Sequence, residues 1–198
     1  MLLTLHMEAR CQIIHSLAIA LSPEAAPYVL EQEVKDPDPK ILSLNADLIS
    51  YDETIVRFLR EKEISFIRTG LGLLIDSYLV TNAGMVQAMN AHGCGRMQLN
   101  IFVLQQNIKN IESDVELDRA ARFFDLFMLG PDAVVQQAKE EKESGQGGKE
   151  LFSYDELKTL VELCYSEKLA SPERGISSVA KRGMGEHLLQ LSEYMWQS

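Results

Sequence analysis

The feature that most constrains this chain is an apolar segment at residues 85–111 with helical spacing, interrupted once by small residues. After Arg96, apolar residues recur at steps of three and four, which places their side chains on one stripe of an α-helix. The stripe consists of Met97, Ile101, Leu104, Ile108 and Ile111. Leu99, Phe102 and Val103 widen it beyond one face, so we expect a helix with neighbours on several sides.

The residues before the interruption have the same spacing and predict one long helix over residues 63–91. Gly70, Gly72 and Gly84 lie inside it, and each costs up to about 1 kcal/mol against alanine. Such glycines indicate a bend or the close approach of another helix. The short break at residues 93–95 then predicts that the two helices fold back on each other or cross steeply. We expect this helix pair to form the centre of an all-helical domain.

Helix start and stop signals divide the rest of the chain into further helices. These signals lie at Ser22-Pro23, Lys40, Ser113-Asp114, Gly130-Pro131, Ser153 with Glu156, and Ser171-Pro172. The first helix is predicted over Leu2–Leu21, with His6 and Arg10 near its buried side and in need of polar neighbours. The second is predicted over about residues 40–60.

The sum is roughly seven or eight helices and no sheet, which predicts an all-α, multi-helix bundle. We expect residues 1–198 to form a single helical-bundle domain. Residues 139–150 combine charged side chains with glycines, and this composition predicts a flexible loop.

The charge balance is acidic, with 29 Asp and Glu against 19 Lys and Arg and a formal net charge of -10. Such a surface repels phosphate backbones and anionic lipids, so we expect neither nucleic-acid binding nor direct membrane insertion. Three widely spaced cysteines suit a reducing compartment. The apolar start keeps helical periodicity and is interrupted by Glu8, Arg10 and His15, which favours a first helix over a signal peptide. We therefore expect a cytoplasmic protein.

Candidate chemical sites are incomplete in this sequence. His92 and Cys94 lie together, but the other cysteines and histidines supply no CxxC or HxxxH set that would complete a zinc site. The alternative interpretation is that Cys94 packs as a small hydrophobe and His92 caps a helix end. Residues 145–150 and 183–185 are glycine-rich but follow no strand and lack the spacing of a phosphate loop. We therefore predict no catalytic, cofactor-binding or metal-binding residues and no cofactor.

Two surface features remain candidates for interaction. A local basic concentration, interpreted as a solvated helix face because acidic residues lie near it, consists of Lys168, Arg174, Lys181 and Arg182. The apolar tail at residues 188–196 is usually core, yet such a helix can also dock on a partner helix. With Trp196 it also suggests a homodimer in a crystal.

The central segment carries a resemblance to a known family. Its motifs are MNAHGCGRM at residues 89–97 and NIFVLQQNI at residues 100–108, supported by SYDEL at 153–157 and SPERG at 171–175. With these motifs the chain resembles the C-terminal region of the exocyst component four family, and its fungal members most. The resemblance covers most of residues 42–196 and is weakest before Pro39.

That resemblance implies a non-enzymatic structural subunit of the exocyst, which tethers secretory vesicles to the plasma membrane during exocytosis through protein-protein contacts. It implies a C-terminal fragment of a longer subunit and part of a helical rod. The implied partners are other exocyst subunits, and the implied location is the cytoplasm and plasma-membrane sites of polarised secretion. The family motif implies no catalytic or binding residue.

A polar set around the central break has its own predicted role. It consists of Asn90, Asn100, Gln105, Gln106 and Asn107, whose amides are expected to bond the free backbone groups there and to fix the angle of the helix pair. Two other functions stay open for the chain: an adaptor whose groove holds one partner helix, and an all-α ligand-binding or enzyme domain with convergent ionisable groups.

Overall fold

A computed structural model describes residues 1–24, 27–143 and 151–196 of the chain. These residues contain nine α-helices and one short 3-10 helix. The helices are α1 (Leu2–Leu21), α2 (Pro39–Phe58), α3 (Glu61–Arg68), α4 (Leu71–Thr81), the 3-10 helix (Ala83–Val86), α5 (Ala91–Ile108), α6 (Asp118–Leu129), α7 (Pro131–Glu143), α8 (Tyr154–Leu169) and α9 (Arg174–Trp196). In this part of the chain β pairing is limited to an isolated parallel bridge between Tyr28 and Met89. The predicted all-α bundle is confirmed.

The long helix predicted over residues 63–91 is wrong, because this segment consists of three helical pieces and an extended end. Gly70 adopts φ 80°, in the left-handed region that glycine enters without strain, and it separates α3 from α4. At the other end of α4, the Asn82 side-chain amide donates to the Tyr78 carbonyl at 3.1 Å. The regular apolar spacing continues through both interruptions, so periodicity alone did not show them.

The break predicted at residues 93–95 is also wrong, since these residues lie inside the first turns of α5. The chain turns before them, at residues 87–90, and Asn90 begins the helix. Its side-chain Oδ1 accepts a hydrogen bond from the Gly93 N–H at 3.0 Å, as an N-cap residue does. Gly93 and Gly95 are therefore not the point at which the chain turns.

The buried apolar side chains form one cluster that extends from Ala9 in α1 to Leu191 in α9. Helix α1 packs on α2, α3 and α4; α5 packs on α2, α4 and α6; and α9 packs on α7 and α8. The predicted polar neighbours of α1 are present: Arg10 donates to the Thr69 carbonyl at 2.6 Å, and His6 Nδ1 lies 3.2 Å from the Phe66 carbonyl oxygen. Helix α5 thus has three neighbouring helices, as expected. The predicted widening of its apolar stripe is wrong at Phe102, which is 60% exposed.

Local signals placed several helix ends correctly. Helix α1 has the predicted bounds, Gly130 with φ 93° ends α6, and Ser153 with Glu156 forms the predicted capping box of α8. Helix α6 differs, because it begins at Asp118, after Leu117, and not near Ser113. The carboxylate of the neighbouring Glu112 caps a different helix.

The loop predicted at residues 139–150 is shorter than expected at its start, because α7 continues to Glu143. Lys, Glu and Gln are good helix formers, and the side chains of Gln136 and Glu140 are hydrogen-bonded at 2.8 Å one turn apart. Residues 144–150 lie outside the described residues. That residues 1–198 form a single domain stays a prediction.

The stretch Glu61–Thr81 is long and apolar enough to cross a membrane by length and composition only. Its mean hydropathy is 1.3 and 39% of it is buried. Gly70 divides it into α3 and α4, and Ile67, Leu71 and Ile75 pack in the core. Because core helices pass the same test, this stretch is weak evidence for a membrane span.

Candidate functional site

The start of α5 is fixed by Asn90, which bonds to a distant segment as well as to its own helix. Its Oδ1 accepts from the Leu30 N–H at 3.2 Å, and its Nδ2 donates to the Leu30 carbonyl at 2.8 Å. The backbone N–H of Asn90 donates to the Tyr28 carbonyl at 3.0 Å. Residues 28–30 therefore cross the first turn of α5 and are held there by the side chain and the backbone N–H of Asn90.

Gly93 lets that crossing occur. A Cβ atom built at Gly93 would lie 1.7 Å from the Tyr28 carbonyl oxygen, a backbone atom that a side-chain rotation cannot remove. Gly95, two residues later, has no atom within 4 Å of its ideal Cβ position apart from its own surroundings in the helix. The two glycines thus have different roles, and that of Gly93 is close approach, not chain reversal.

A buried polar cluster follows one turn later and joins α5 to the start of α2. The Arg96 guanidinium donates to Asp38 Oδ2 at 3.1 Å, with the two side chains 14% and 2% exposed. Asp38 also accepts from the Lys40 N–H at 2.7 Å, which caps α2. The Asn100 side-chain oxygen accepts from the Asp38 N–H at 2.8 Å. These bonds fix where α2 starts relative to α5.

The predicted polar set bonds to backbone groups, as expected, but it does not join the predicted helix pair. Asn107 donates to the Asn45 carbonyl of α2 at 3.4 Å, and Gln105 accepts from the Leu117 N–H at 3.3 Å. Asn90 and Asn100 bond to residues 30 and 38, as described above, while Gln106 is exposed. The set therefore positions α2, residues 28–30 and the start of α6 around α5.

Carboxylates that are distant in sequence cap two further helices. Glu112 accepts from the N–H groups of Gly70 and Gly72, at 2.8 and 3.1 Å, at the start of α4. Asp76 accepts from the Ala120 N–H of α6 at 2.7 Å. A negative charge is favourable at a helix N-terminus. Burial raises the pKa of the Asp76 carboxyl, against the effect of the Ala120 hydrogen bond.

Glu156 joins α6 to α8. It accepts from Arg119 at 2.5 Å and from the Ser153 N–H at 2.8 Å, and the Thr81 hydroxyl donates to it at 3.2 Å. Burial alone would raise the pKa of its carboxyl, but the Arg119 and Ser153 hydrogen bonds outweigh it, so this pKa lies below its ordinary value. The carboxylate is thus charged and fully engaged in holding helices together.

One histidine contacts both neighbours of α9. His187 Nε2 lies 3.0 Å from Asp132 Oδ1 of α7, and its Nδ1 lies 2.8 Å from the Gly183 carbonyl oxygen and 3.0 Å from the Tyr165 hydroxyl of α8. Burial lowers the pKa of His187, but the hydrogen bonds to Asp132 and Gly183 raise it more. The pKa therefore lies above its ordinary value.

The thiols of Cys94 and Cys164 are structural in their surroundings, whereas Cys11 is exposed. Cys94 is buried, as predicted, and donates to the Phe124 carbonyl at 3.3 Å, and burial raises its pKa to about 12. The pKa of Cys164 is also raised to about 12 by burial. His92 is exposed, and α5 is capped by Asn90 instead. Across the described ranges no group of three or more His, Cys, Asp or Glu side chains is placed to hold a metal ion.

The described surface has several open clefts, two of which have volumes of about 490 Å³ or more. A cleft of about 600 Å³ between α3 and residues 111–115 includes Glu61, Arg68 and Glu112. Arg68 is paired with Asp52 at 2.6 Å, and Glu112 caps α4, so these two charges hold the fold. The second cleft, here called the α8–α9 groove, has a volume of about 490 Å³. It is lined by Tyr165, Lys168, Gly175, Ile176, Val179, Ala180 and Gly183.

The predicted surface candidates lie near this groove. The basic concentration is exposed, and so are the neighbouring Glu167, Glu173 and Glu186, as a solvated face requires. In the apolar tail, Leu191 is buried while Leu189 is 61% exposed, so this segment is partly core and partly surface. Residues 183–185 belong to the interior of α9. The glycine-rich residues 145–150 lie outside the described residues.

Comparison with known proteins supplies a relationship. No protein-family model matches the chain. Over its whole length the chain is 52% identical to the probable exocyst complex component sec8 of Neurospora crassa. It is 28% identical over 91% of its length to exocyst complex component 4 of Dictyostelium discoideum, and 32% identical over 63% to that of Homo sapiens.

The chain belongs to the exocyst component 4 family. It spans 21% of the length of the Neurospora relative, 15% of the Dictyostelium relative and 13% of the human relative. The resemblance seen in the central motifs of α5 is therefore confirmed by sequence similarity over the whole chain.

Several residues that organise this exocyst component 4 homologue were not found from its sequence. Asp76 is the single charged residue of α4, and a lone charge among apolar residues was a usable signal of a buried polar contact. Asp38 precedes Pro39, which is a helix-start signal, although the second helix was predicted to begin only at about residue 40. Nothing in the local sequence of Glu112 indicated that it caps α4.

Proposed function

We propose that this chain is a non-enzymatic, structural part of an exocyst subunit, which helps to tether secretory vesicles to the plasma membrane by protein-protein contacts. The observation that carries the proposal is the 52% identity, over the whole chain, with a protein named probable exocyst complex component sec8. The proposed partners are other exocyst subunits. The proposed location is the cytoplasm, at plasma-membrane sites of polarised secretion.

The side-chain chemistry supports a structural role. Asp38, Glu112 and Glu156 are charged groups of the kind that catalysis uses, and each one accepts backbone N–H bonds at a helix start. The thiols of Cys94 and Cys164 have raised pKa values, which opposes thiolate formation. These groups hold helices in place, as a domain in a helical rod requires.

The test is removal of this region from the full-length subunit in cells, followed by affinity purification of the remaining exocyst subunits. We expect reduced recovery of at least one other subunit and an accumulation of secretory vesicles. The matched control is full-length protein with Gly95→Ala, a change that the packing tolerates. Full recovery of the complex together with normal secretion after the deletion would contradict the proposal.

A second candidate function is an adaptor that holds a partner helix in the α8–α9 groove. The observation in its favour is that Ile176 and Val179, at 43% and 61% exposure, line an open cleft of about 490 Å³. Val179→Asp would block an apolar helix there, and Val56→Asp, at a 48% exposed valine of α2, is the matched control. Equal subunit recovery with both variants would exclude this function.

A further inference from the structure

The connector between α8 and α9 contains a sequence pattern in addition to its helix start signal. It contains Ser171-Pro172-Glu173 followed by Arg174, so a serine precedes a proline and a basic residue lies three positions after the serine. Kinases of the proline-directed class modify serine before proline, and the cyclin-dependent type favours a basic residue at that third position. We propose that Ser171 is a phosphorylation site for a proline-directed kinase of the cyclin-dependent type.

The connector is accessible to an enzyme. Pro172, Glu173 and Arg174 are exposed, and Ser171 is half-buried. The Ser171 hydroxyl oxygen accepts a hydrogen bond from the Glu173 N–H at 3.3 Å. A residue before proline is restricted to extended backbone. The proline thus favours at Ser171 the extended backbone in which a kinase cleft holds its substrate.

To present Arg174, the first turn of α9 has to open against a contact with α8, the hydrogen bond from the Ser177 hydroxyl to the Leu169 carbonyl at 3.3 Å. Gly175 is a poor helix former, and a Cβ built at this position would meet no atom within 4 Å. Ile176 in the same turn is 43% exposed, so opening the turn uncovers little buried apolar surface. Arg174 can thus take its place three positions beyond Ser171 in an extended substrate.

The reaction is phosphoryl transfer from ATP, which the kinase supplies together with Mg²⁺. The Ser171 hydroxyl oxygen forms a bond to the γ-phosphorus of ATP as the bond from that phosphorus to ADP breaks. The hydroxyl proton passes to the catalytic aspartate of the kinase. The products are phosphoserine at position 171 and ADP.

The phosphate would stabilise the start of α9. It carries about -1.5 to -2 charges at neutral pH, and it lies just before a helix N-terminus with the exposed cations of Lys168 and Arg174 close by in sequence. Glu167 and Glu173 oppose it by repulsion, so the effect is modest. We expect amide hydrogen exchange at residues 174–177 to slow by about two- to fivefold, the range of a helix-terminus charge effect.

The chain contains an internal control. Its other Ser-Pro pair is Ser22-Pro23, which is also followed by glutamate but has Ala25 in place of an arginine at the third position. Ser22 lies at the end of α1 and is also half-buried. A kinase that reads only Ser-Pro would modify both serines, whereas one that requires the basic residue would prefer Ser171.

The experiment treats the full chain with a purified cyclin-dependent kinase and Mg²⁺-ATP and maps each phosphoserine by mass spectrometry. We expect phosphorylation at Ser171 to be about tenfold faster than at Ser22, the factor that one charge-assisted contact supplies. Arg174→Ala should remove this preference, and Ser171→Ala should remove most of the incorporation. Circular dichroism of both variants, whose side chains lie outside the core, checks that they fold.

Equal rates at the two serines, no incorporation at Ser171, or an unchanged rate in Arg174→Ala would overturn the site. Hydrogen exchange on the phosphorylated chain tests its consequence, with Ser171→Ala treated in the same way as the control. Unchanged or faster exchange at residues 174–177 after phosphorylation would overturn the stabilising role of the phosphate.

Discussion

The starts of α5 and α9 contain similar residues in very different surroundings. Both have a glycine and an arginine in their first turns, together with neighbouring small residues. In α5, Gly93 is buried under residues 28–30 and Arg96 is paired with Asp38. In α9, Arg174 and Gly175 are exposed. The same residue types therefore make a tightly packed joint where another segment crosses the helix, and an open end where none does.

The largest expected effect is that of Gly93→Ala at the packed joint. The new Cβ would lie 1.7 Å from the Tyr28 carbonyl oxygen, so residues 28–30 or α5 must move. We expect the free energy of unfolding to fall by about 3 kcal/mol or more, at the upper end for overpacking. Urea unfolding measures it, with Gly95→Ala as the matched control. Equal stability of the two variants would show that the joint is not tightly packed.

The next effect is that of Asp38→Asn, which keeps the shape of the side chain and removes its charge. Arg96 would then be left as a largely buried cation with a weaker acceptor. We expect a loss of about 2 to 3 kcal/mol, somewhat less than for a fully buried pair. A double-mutant cycle with Arg96→Met separates the pair from the cap that Asp38 provides to α2. Additive losses in that cycle would argue against the pairing.

A smaller effect is the pH dependence of the free energy of unfolding, which arises at the contact between α7 and α9. Because the folded pKa of His187 is above its ordinary value of 6.5, the protonated form stabilises the fold. This contribution is present in full below the unfolded pKa and is lost as pH rises through the folded pKa.

Asp132 is 97% exposed, so solvent screens the pair and the contribution is below about 1 kcal/mol. Unfolding measured from pH 5.5 to 8.5, a range set around the ordinary pKa of histidine, should show this loss in the unmodified chain and not in His187→Gln. A pH dependence that persists unchanged in the variant would assign it to another group.

The smallest effect is that of Gly175→Ala at the open end of α9. No atom lies within 4 Å of the ideal Cβ position, so alanine should gain helix propensity without a steric cost. We expect a stability increase of about 0.5 kcal/mol, observed as a small rise in the thermal unfolding midpoint. A decrease in stability would mean that the start of α9 is more closely packed than the exposure of Arg174 and Gly175 indicates.

The sequence predicted those parts of the fold that local chemistry determines. The bounds of α1, the glycine at the end of α6 and the capping box of α8 depend on residues within a few positions of each other. The interruptions at Gly70 and before Asn90 were missed, because apolar spacing continues through both. A glycine that permits close approach also looks the same in sequence as one that permits a turn, which is why residues 93–95 were misinterpreted.

The polar set shows the same limit at the candidate site. The expectation that its amides bond the free backbone groups at the central break holds only for Asn90, which accepts from the Gly93 N–H. Asn100, Gln105 and Asn107 bond instead to backbone groups of other segments. The groups that accept or donate these bonds lie in α2, in residues 28–30 and before α6, and only the tertiary structure brings them to α5. The sequence therefore predicted that these amides bond to backbone groups, but it did not predict which residues supply those groups.

Glu112 and Asp76 have a consequence for synthesis of the protein. The N-terminus of α4 is capped by a carboxylate 42 residues later in the chain. The N-terminus of α6 is capped by a carboxylate 44 residues earlier. As the chain emerges from the ribosome, α4 keeps unsatisfied amides until α5 and the residues after it have followed. We therefore expect that a nascent polypeptide stalled between residues 81 and 112 remains sensitive to proteases, and that resistance appears only after Ala120 has been released.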